Sequence, residues 1–480
     1  MKLHKALDKR ILGEVYSSSE TMDNLVVLCD DYNSRWPGSG DDRDACEYMK
    51  DKLIEYGLDN VHLEKVVLPG WTRESSRLSV TSPIVKDIPC IALPHSAEDV
   101  VEAELIYLGD GPVDVYEDRK DEIDGNIVMV TSRTPPGFGR SLHRNEKFQR
   151  SILAGAVGWI FMNHYPTYGP PTGGINPIVP SIGVSYEEGL YLTRLIDRKG
   201  TVKVRIETEC QNPQVESWNV VADLPGTLGG NEHVIYGAHY DGHDIAVGAL
   251  DDATGAVCVM EVARALAGER ENLKRGIRFV LFAAEEIGLY GSRSYVADHL
   301  GEMSDVRFML NFDGAGRAGR QGFGLHGWPE LEPFFREVVK AVGVHVPISQ
   351  GVSPYSDHWP FLLQGIPTSG MGDPDEARRR GGRGYGHTIH DTVDKADHRA
   401  QRECVANSAL AAVRILNSDE WPVIHRSKED IHRLVSDRRF TDTLDLGAKL
   451  KKYLQERVET LLPEAKAYME RLTASWEESI

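Results

Sequence analysis

Val234-Ile235-Tyr236-Gly237-Ala238 runs straight into His239-Tyr240-Asp241, and the same abrupt change recurs further on. Arg278-Phe279-Val280-Leu281-Phe282-Ala283-Ala284 ends in Glu285-Glu286, and Val306-Arg307-Phe308-Met309-Leu310-Asn311-Phe312 ends in Asp313. A Gly-rich turn after the first run leads to Gly248-Ala249-Leu250-Asp251-Asp252-Ala253-Thr254-Gly255. Short apolar runs separated by helix-like segments read as buried parallel strands, and such sheets hold ligands beyond the carboxyl ends of their strands. One imidazole and four carboxylates are thereby directed at one crevice.

Carboxylates packed within a few ångströms raise each other's pKa unless cations lie between them. Two divalent ions would relieve the repulsion, and a borderline-soft ion such as zinc accepts imidazole nitrogen and carboxylate oxygen together. A second imidazole would balance the set. Gly386-His387-Thr388-Ile389-His390-Asp391-Thr392 supplies it, from either His387 or His390.

The 480 residues, 41% hydrophobic, are enough for a large core and two or three domains. Lys plus Arg at 54 against Asp plus Glu at 73 gives a net charge of −19, which argues against nucleic acid or an anionic membrane as partner. The first ten residues lack a signal-peptide core and no apolar run has membrane-spanning length, so a cytoplasmic protein is expected. Six cysteines lie far apart without a Cys-x-x-Cys pair, which suits reduced, buried thiols.

Residues 17–57 read as two helices around Trp36-Pro37-Gly38-Ser39-Gly40, and residues 60–68 alternate like a half-buried strand. From about Ser79 short strands and Pro/Gly loops take over, with one helix, 148–156, before the strand 158–162. The expected organisation is an N-terminal part of the catalytic domain (1–78), an inserted β-rich domain (79–212), the main catalytic segment (213–423) and a helical C-terminal extension (424–480). Leu446, Leu450, Leu454, Leu461, Leu472 and Trp476 lie on one helical stripe of that extension. It is expected to pack back on the catalytic domain or to join copies of the chain in a homo-oligomer.

His239-x-Asp241, Gly248-Ala249-x-Asp251-Asp252-x-x-Gly255, Glu285-Glu286-x-Gly288-x-x-Gly291-Ser292, Asp313 and His387-x-x-x-Asp391-Thr392 stand in the order found in the cocatalytic dizinc exopeptidases. That family includes aminopeptidase Y, glutamate carboxypeptidase and carboxypeptidase Q, and the resemblance runs from about Asn24 to Ala412. The inserted segment resembles a protease-associated domain, most clearly at Ala154-Gly155-Ala156-Val157-Gly158. The resemblance implies a doubly wound α/β fold with a mixed, mostly parallel sheet flanked by helices, carrying two divalent ions, zinc or else Co2+ or Mn2+. It implies His239 and Asp313 on one ion, Glu286 and His387 on the other, and Asp251 bridging both. Glu285 is then the general base, which takes a proton from the metal-bridging water and passes it to the leaving amine. Asp241 and Asp391 are expected to orient His239 and His387. The peptide after Asp251 is expected to be cis.

Gly386 stands where the family often has an aromatic residue or histidine, which leaves Tyr355 or Tyr385 as donor to the substrate. The activity implied is hydrolysis of the terminal peptide bond of peptides, aminopeptidase before carboxypeptidase, because an acidic site suits a free α-amine. Arg378, Arg379, Arg380 and Arg383 would serve the carboxypeptidase reading as a clamp on a terminal carboxylate. An amidohydrolase or cyclase acting on a small amide is the alternative from another reaction class, and a silent binding module is a third.

Overall fold

A computed structural model describes residues 4–343, 345–374, 384–437 and 440–472 of the chain. The chain divides into two compact units. The first comprises residues 1–68, 215–386 and 391–438; the second comprises 69–214, 387–390 and 439–480.

The first unit is built on eight strands: β1 (Asp59–Pro69), β2 (Gln214–Leu224), β3 (His233–His239), β4 (Gly276–Phe282), β5 (Val306–Asn311), β6 (Gly322–Leu325), β7 (Ile348–Gln350) and β8 (Thr368–Gly372). They lie in the order β1-β2-β4-β3-β5-β8-β6-β7. The central four, β4, β3, β5 and β8, run parallel. β2 and β6 join them antiparallel. The apolar runs read from the sequence are these central strands, and β5 is buried at every residue because helices cover both faces of the sheet.

From β3 the chain first crosses to β4 on one side, through the helix Thr254–Ala267, and then past β3 to β5 on the other. The winding reverses at β3, and a crevice opens at the carboxyl ends where it does so. His239 lies opposite Phe282 and Gly237 opposite Asn311, so the residues that follow the three strands emerge at one level. The helix Thr254–Ala267 starts close against this edge. A Cβ on Gly255 would lie 2.5 Å from the Phe312 carbonyl oxygen and 2.1 Å from Asp252 Oδ2, which only glycine avoids.

The N-terminal region holds one helix more than the two read from the sequence. Lys5–Ser17 buries Leu7, Ile11 and Val15 at every fourth position, a stripe short enough to pass unnoticed in a charged segment. The helix Gly40–Glu55 is capped by Ser39, whose hydroxyl accepts from Asp42 N. The closing helix is His398–Asn417, capped by Asp397 and preceded by a short 3-10 turn at Val393–Lys395.

Arg35, fully buried, fastens the N-terminal region to the loop after β3. Its Nε donates to the Tyr240 carbonyl at 2.6 Å, Nη1 to that of Leu28 at 2.9 Å and Nη2 to that of Gly248 at 3.1 Å. Asp42, also fully buried, accepts from Tyr240 Oη at 2.6 Å and Ser217 Oγ at 3.0 Å. Burial pushes its carboxyl up to about 6, against the pull of these donors.

The second unit has an eight-stranded sheet in the order Lys86–Ile88, Thr72–Ser82, Lys203–Gln211, Asp99–Tyr107, Ile127–Thr131, Gly158–Met162, Ser181–Val184, Ile91–Ala92. The period of two along its central strands makes two cores. Val128, Val130, Trp159 and Phe161 face the helix Arg144–Leu153, while Ile127, Met129, Ile160 and Met162 face Tyr186–Lys199. Leu450 and Leu454, from the helix Thr441–Gln455, complete the first of these cores. Leu450, Leu454, Leu461 and Leu472 of the C-terminal stripe therefore pack within the second unit rather than on the catalytic domain, because the helix Arg144–Leu153 offers them an apolar face; Trp476 lies outside the described residues. Gly70 N donates to the Pro213 carbonyl at 2.7 Å where the chain enters and leaves this unit.

Arg35→Met would remove the donor that these three buried carbonyls share, leaving Gly248 only its bond from Ala253 N, and it is expected to lower the unfolding free energy by about 3 kcal/mol in urea titrations. Because the Asp42 pKa is raised on folding, its neutral form stabilises the native state fully below about pH 4, and that contribution is lost as pH rises through about 6. Urea midpoints of Asp42→Asn should lack this fall between about pH 4 and pH 7, relative to wild type.

Candidate metal centre

His239, Asp251 and Asp313 come together where β3 and β5 end, each offering a ligand atom within 4.8 Å of the others. His239 Nδ1 lies 3.0 Å from the Asp241 carbonyl oxygen. Donation there places the proton on Nδ1 and turns the Nε2 lone pair toward the carboxylates. Nε2 lies 3.7 Å from Asp251 Oδ1 and 4.0 Å from Asp313 Oδ1. Asp313 Oδ2 is held by Ser356 Oγ at 2.7 Å, itself held by Asn311 Nδ2 at 2.6 Å, so Oδ1 is the oxygen presented to the group.

Ala284, at φ 54°, bends the chain sharply out of β4 and delivers Glu285 and Glu286. A Cβ on Gly291 would lie 2.4 Å from the Ala283 carbonyl oxygen, so the glycine lets the following helix pack against this bend. Glu286 is buried, and its Oε2 lies 2.9 Å from Nε2 of His243, likewise buried. His243 is a residue the sequence reading missed. Its signal was the alternation His239-x-Asp241-x-His243, which in an extended chain places all three on one side.

His387 is buried, with φ 61° and Nδ1 3.2 Å from the Thr172 carbonyl oxygen, whereas His390 is half-buried with its ring against Tyr168. Tyr355 directly precedes Ser356, the partner of Asp313, and Tyr385 carries the ammonium of Lys395 over its ring at 5.4 Å. Arg383, like Arg378, Arg379 and Arg380, lies outside the described residues.

Two supporting carboxylates act differently from expectation. The Asp241 carboxylate accepts from the backbone N–H groups of Glu285 and Glu286, at 3.1 and 3.2 Å, and the imidazole of His239 is met by the Asp241 main-chain carbonyl instead. The Asp241 carbonyl is the nearer to the ring, at 3.0 Å, and the side chain, 3.6 Å from Nδ1, fixes the Glu285-Glu286 backbone. Asp391 likewise holds main chain. It accepts from Leu250 N at 2.6 Å and Asp251 N at 3.2 Å, which sets the Asp251 backbone rather than an imidazole. The Asp251–Asp252 peptide is cis, as the resemblance implies.

The donor set suits a divalent ion. Separations of 3.7 and 4.0 Å are too long for hydrogen bonds, yet lie within twice a metal–ligand bond of ~2.0–2.2 Å. With protein atoms alone, burial raises the Glu285 carboxyl well above its usual range, and Glu286, Asp313 and Asp357 add to the shift. Burial alone would lower the His239 pKa, but Asp241, Asp251 and Glu285 outweigh it and hold it well above its ordinary value. A cluster that takes up protons in this way is one whose charge a cation would balance. Arg317, the other residue missed in the sequence, brings a guanidinium to the same carboxylates.

Residues 219–412 match the model of Peptidase family M28, and residues 98–192 match that of the PA domain. Carboxypeptidase Q of Mus musculus is 24% identical over 84% of this chain and 87% of its own length. Leucine aminopeptidase 2 of Trichophyton equinum is 29% identical over 75% of this chain and 72% of its own. Among solved structures, a peptidase M28 precursor from Shewanella amazonensis superposes with a TM-score of 0.74 at 24% identity, covering 89% of this chain and 99% of that one. The fold, the site and these likenesses agree: the chain is a hydrolase of the zinc-exopeptidase type, with a segment similar to peptidase family M28 at residues 219–412 and one similar to the PA domain ahead of it.

Proposed function

We propose that the chain is a dizinc aminopeptidase that removes single residues from the amino ends of peptides. The observation that carries the reading is one buried imidazole with two carboxylates at ligand spacing, with the Glu285-Glu286 pair delivered to the same strand ends by the bend at Ala284. His239 and Asp313 would hold one ion, Glu286 with His243 or His387 the other, and Asp251 would serve both. Support for His387 comes from its chain neighbours, Gly386 and Asp391. Both belong to the first unit, and Asp391 is bonded to the backbone of Asp251 itself.

The bound ions supply Lewis acidity toward the scissile carbonyl and make the attacking water more acidic. Glu285 takes the proton from that water and delivers it to the leaving amine nitrogen. Ser356 and Asp391 keep Asp313 and Asp251 in place during turnover, since their hydrogen bonds engage atoms other than the presented oxygens. The surplus of carboxylates suits the protonated α-amine of a peptide, and the likeness to leucine aminopeptidase 2 supports the same choice. A reducing compartment such as the cytoplasm suits the six free cysteines.

Aminoacyl, N-blocked dipeptide and small amide substrates, each with and without a chelator, test the assignment. Chelator-sensitive cleavage of aminoacyl substrates is expected, and preference for N-blocked dipeptides would replace aminopeptidase with carboxypeptidase. Elemental analysis of purified protein should find two zinc ions per chain, and less in His243→Ala if that residue is a ligand. Glu285→Gln should keep its metal and lose turnover by about a thousandfold, within the range for a general acid–base group. Activity within about tenfold of wild type would remove Glu285 from that role.

A further inference from the structure

Arg317 stands in the glycine-rich loop after β5, with only 9% of its side chain exposed, among three carboxylates. Nε donates to the Leu250 carbonyl. Nη2 donates to Asp251 Oδ1 at 2.6 Å and to Asp313 Oδ1 at 3.0 Å, with Asp252 Oδ1 at 3.8 Å. The first two are the oxygens that, with His239 Nε2, make up the first ligand group. A divalent ion ligated by both would draw on the same lone pairs as Nη2, and two cations that close repel.

We propose that Arg317 is the built-in counter-cation of this site, a positioning residue that holds Asp251 and Asp313 in ligating places before metal arrives and withdraws from them as it binds. The inference rests on reading His239, Asp251 and Asp313 as metal ligands. The Leu250 carbonyl, main chain just ahead of Asp251, is the tether on which the guanidinium turns. Metal uptake is then an exchange of one cation for another, so the guanidinium weakens the observed affinity while it stabilises the metal-free protein.

The test uses the full-length chain, stripped with a chelator and titrated with zinc against a chelating dye, with thermal unfolding of both forms. Arg317→Met should bind its tightest zinc about tenfold to a hundredfold more strongly than wild type, the scale of one charge-assisted hydrogen bond. Its metal-free form should melt below metal-free wild type, and its zinc-loaded form alongside loaded wild type. Arg317→Lys keeps the charge without the fork, and should fall between the two in affinity. It carries the comparison if the metal-free methionine variant does not stay folded. Weaker zinc binding by Arg317→Met, or an unchanged affinity, overturns the inference alone. Failure of wild type to take up zinc overturns the ligand reading and this inference with it.

Discussion

Mutual repulsion among buried carboxylates is the constraint around which the first unit is arranged. Asp251, Asp252, Glu285, Glu286 and Asp313 gather at one edge of a sheet whose strands are apolar almost throughout, where each uncompensated charge is costly. Every neighbouring element answers that cost in some way. Asp241 and Asp391 spend their own carboxylates on backbone N–H groups, Ser356 takes one oxygen of Asp313, Gly314 N donates to Asp252, and Arg317 places positive charge between the aspartates. The Oδ1 atoms of Asp251 and Asp313 that Arg317 engages also face one imidazole nitrogen.

The strands and the acidic residues at their ends were legible because both signals are local. An apolar run followed by His239, Glu285 or Asp313 is visible in the order of residues alone, as is the pairing of Asp251 with Gly255. What stayed hidden depends on the third dimension. Arg317 is separated from any motif by glycines, and only the return of its loop brings it to Asp251. The roles of Asp241 and Asp391 were read as side chain to imidazole, which sequence spacing favours. The deciding fact was which backbone N–H groups lay nearer.

The second unit teaches a similar lesson about composition. Its many short strands and Pro/Gly loops read as β-rich, yet two helices, one on each face of the sheet, are what close its two cores. The apolar stripe of the tail, expected on the catalytic domain or in a homo-oligomer, meets the face of one of them. Leu450 and Leu454 sit with Phe148 and Ile152 in a single apolar cluster.

Arg35 and Tyr240 are 205 residues apart in the chain, and fixing one against the other costs loop-closure entropy. The whole second-unit sheet lies between them, and its entry and exit are clipped together by Gly70 and Pro213. If that unit forms first, the loop still to be closed shrinks to about 60 residues, which lowers the entropic cost by roughly 1 kcal/mol. The inserted domain therefore serves the fold of its host simply by being folded, whatever it binds, and its order of assembly bears on how readily the metal-site loop after β3 is secured.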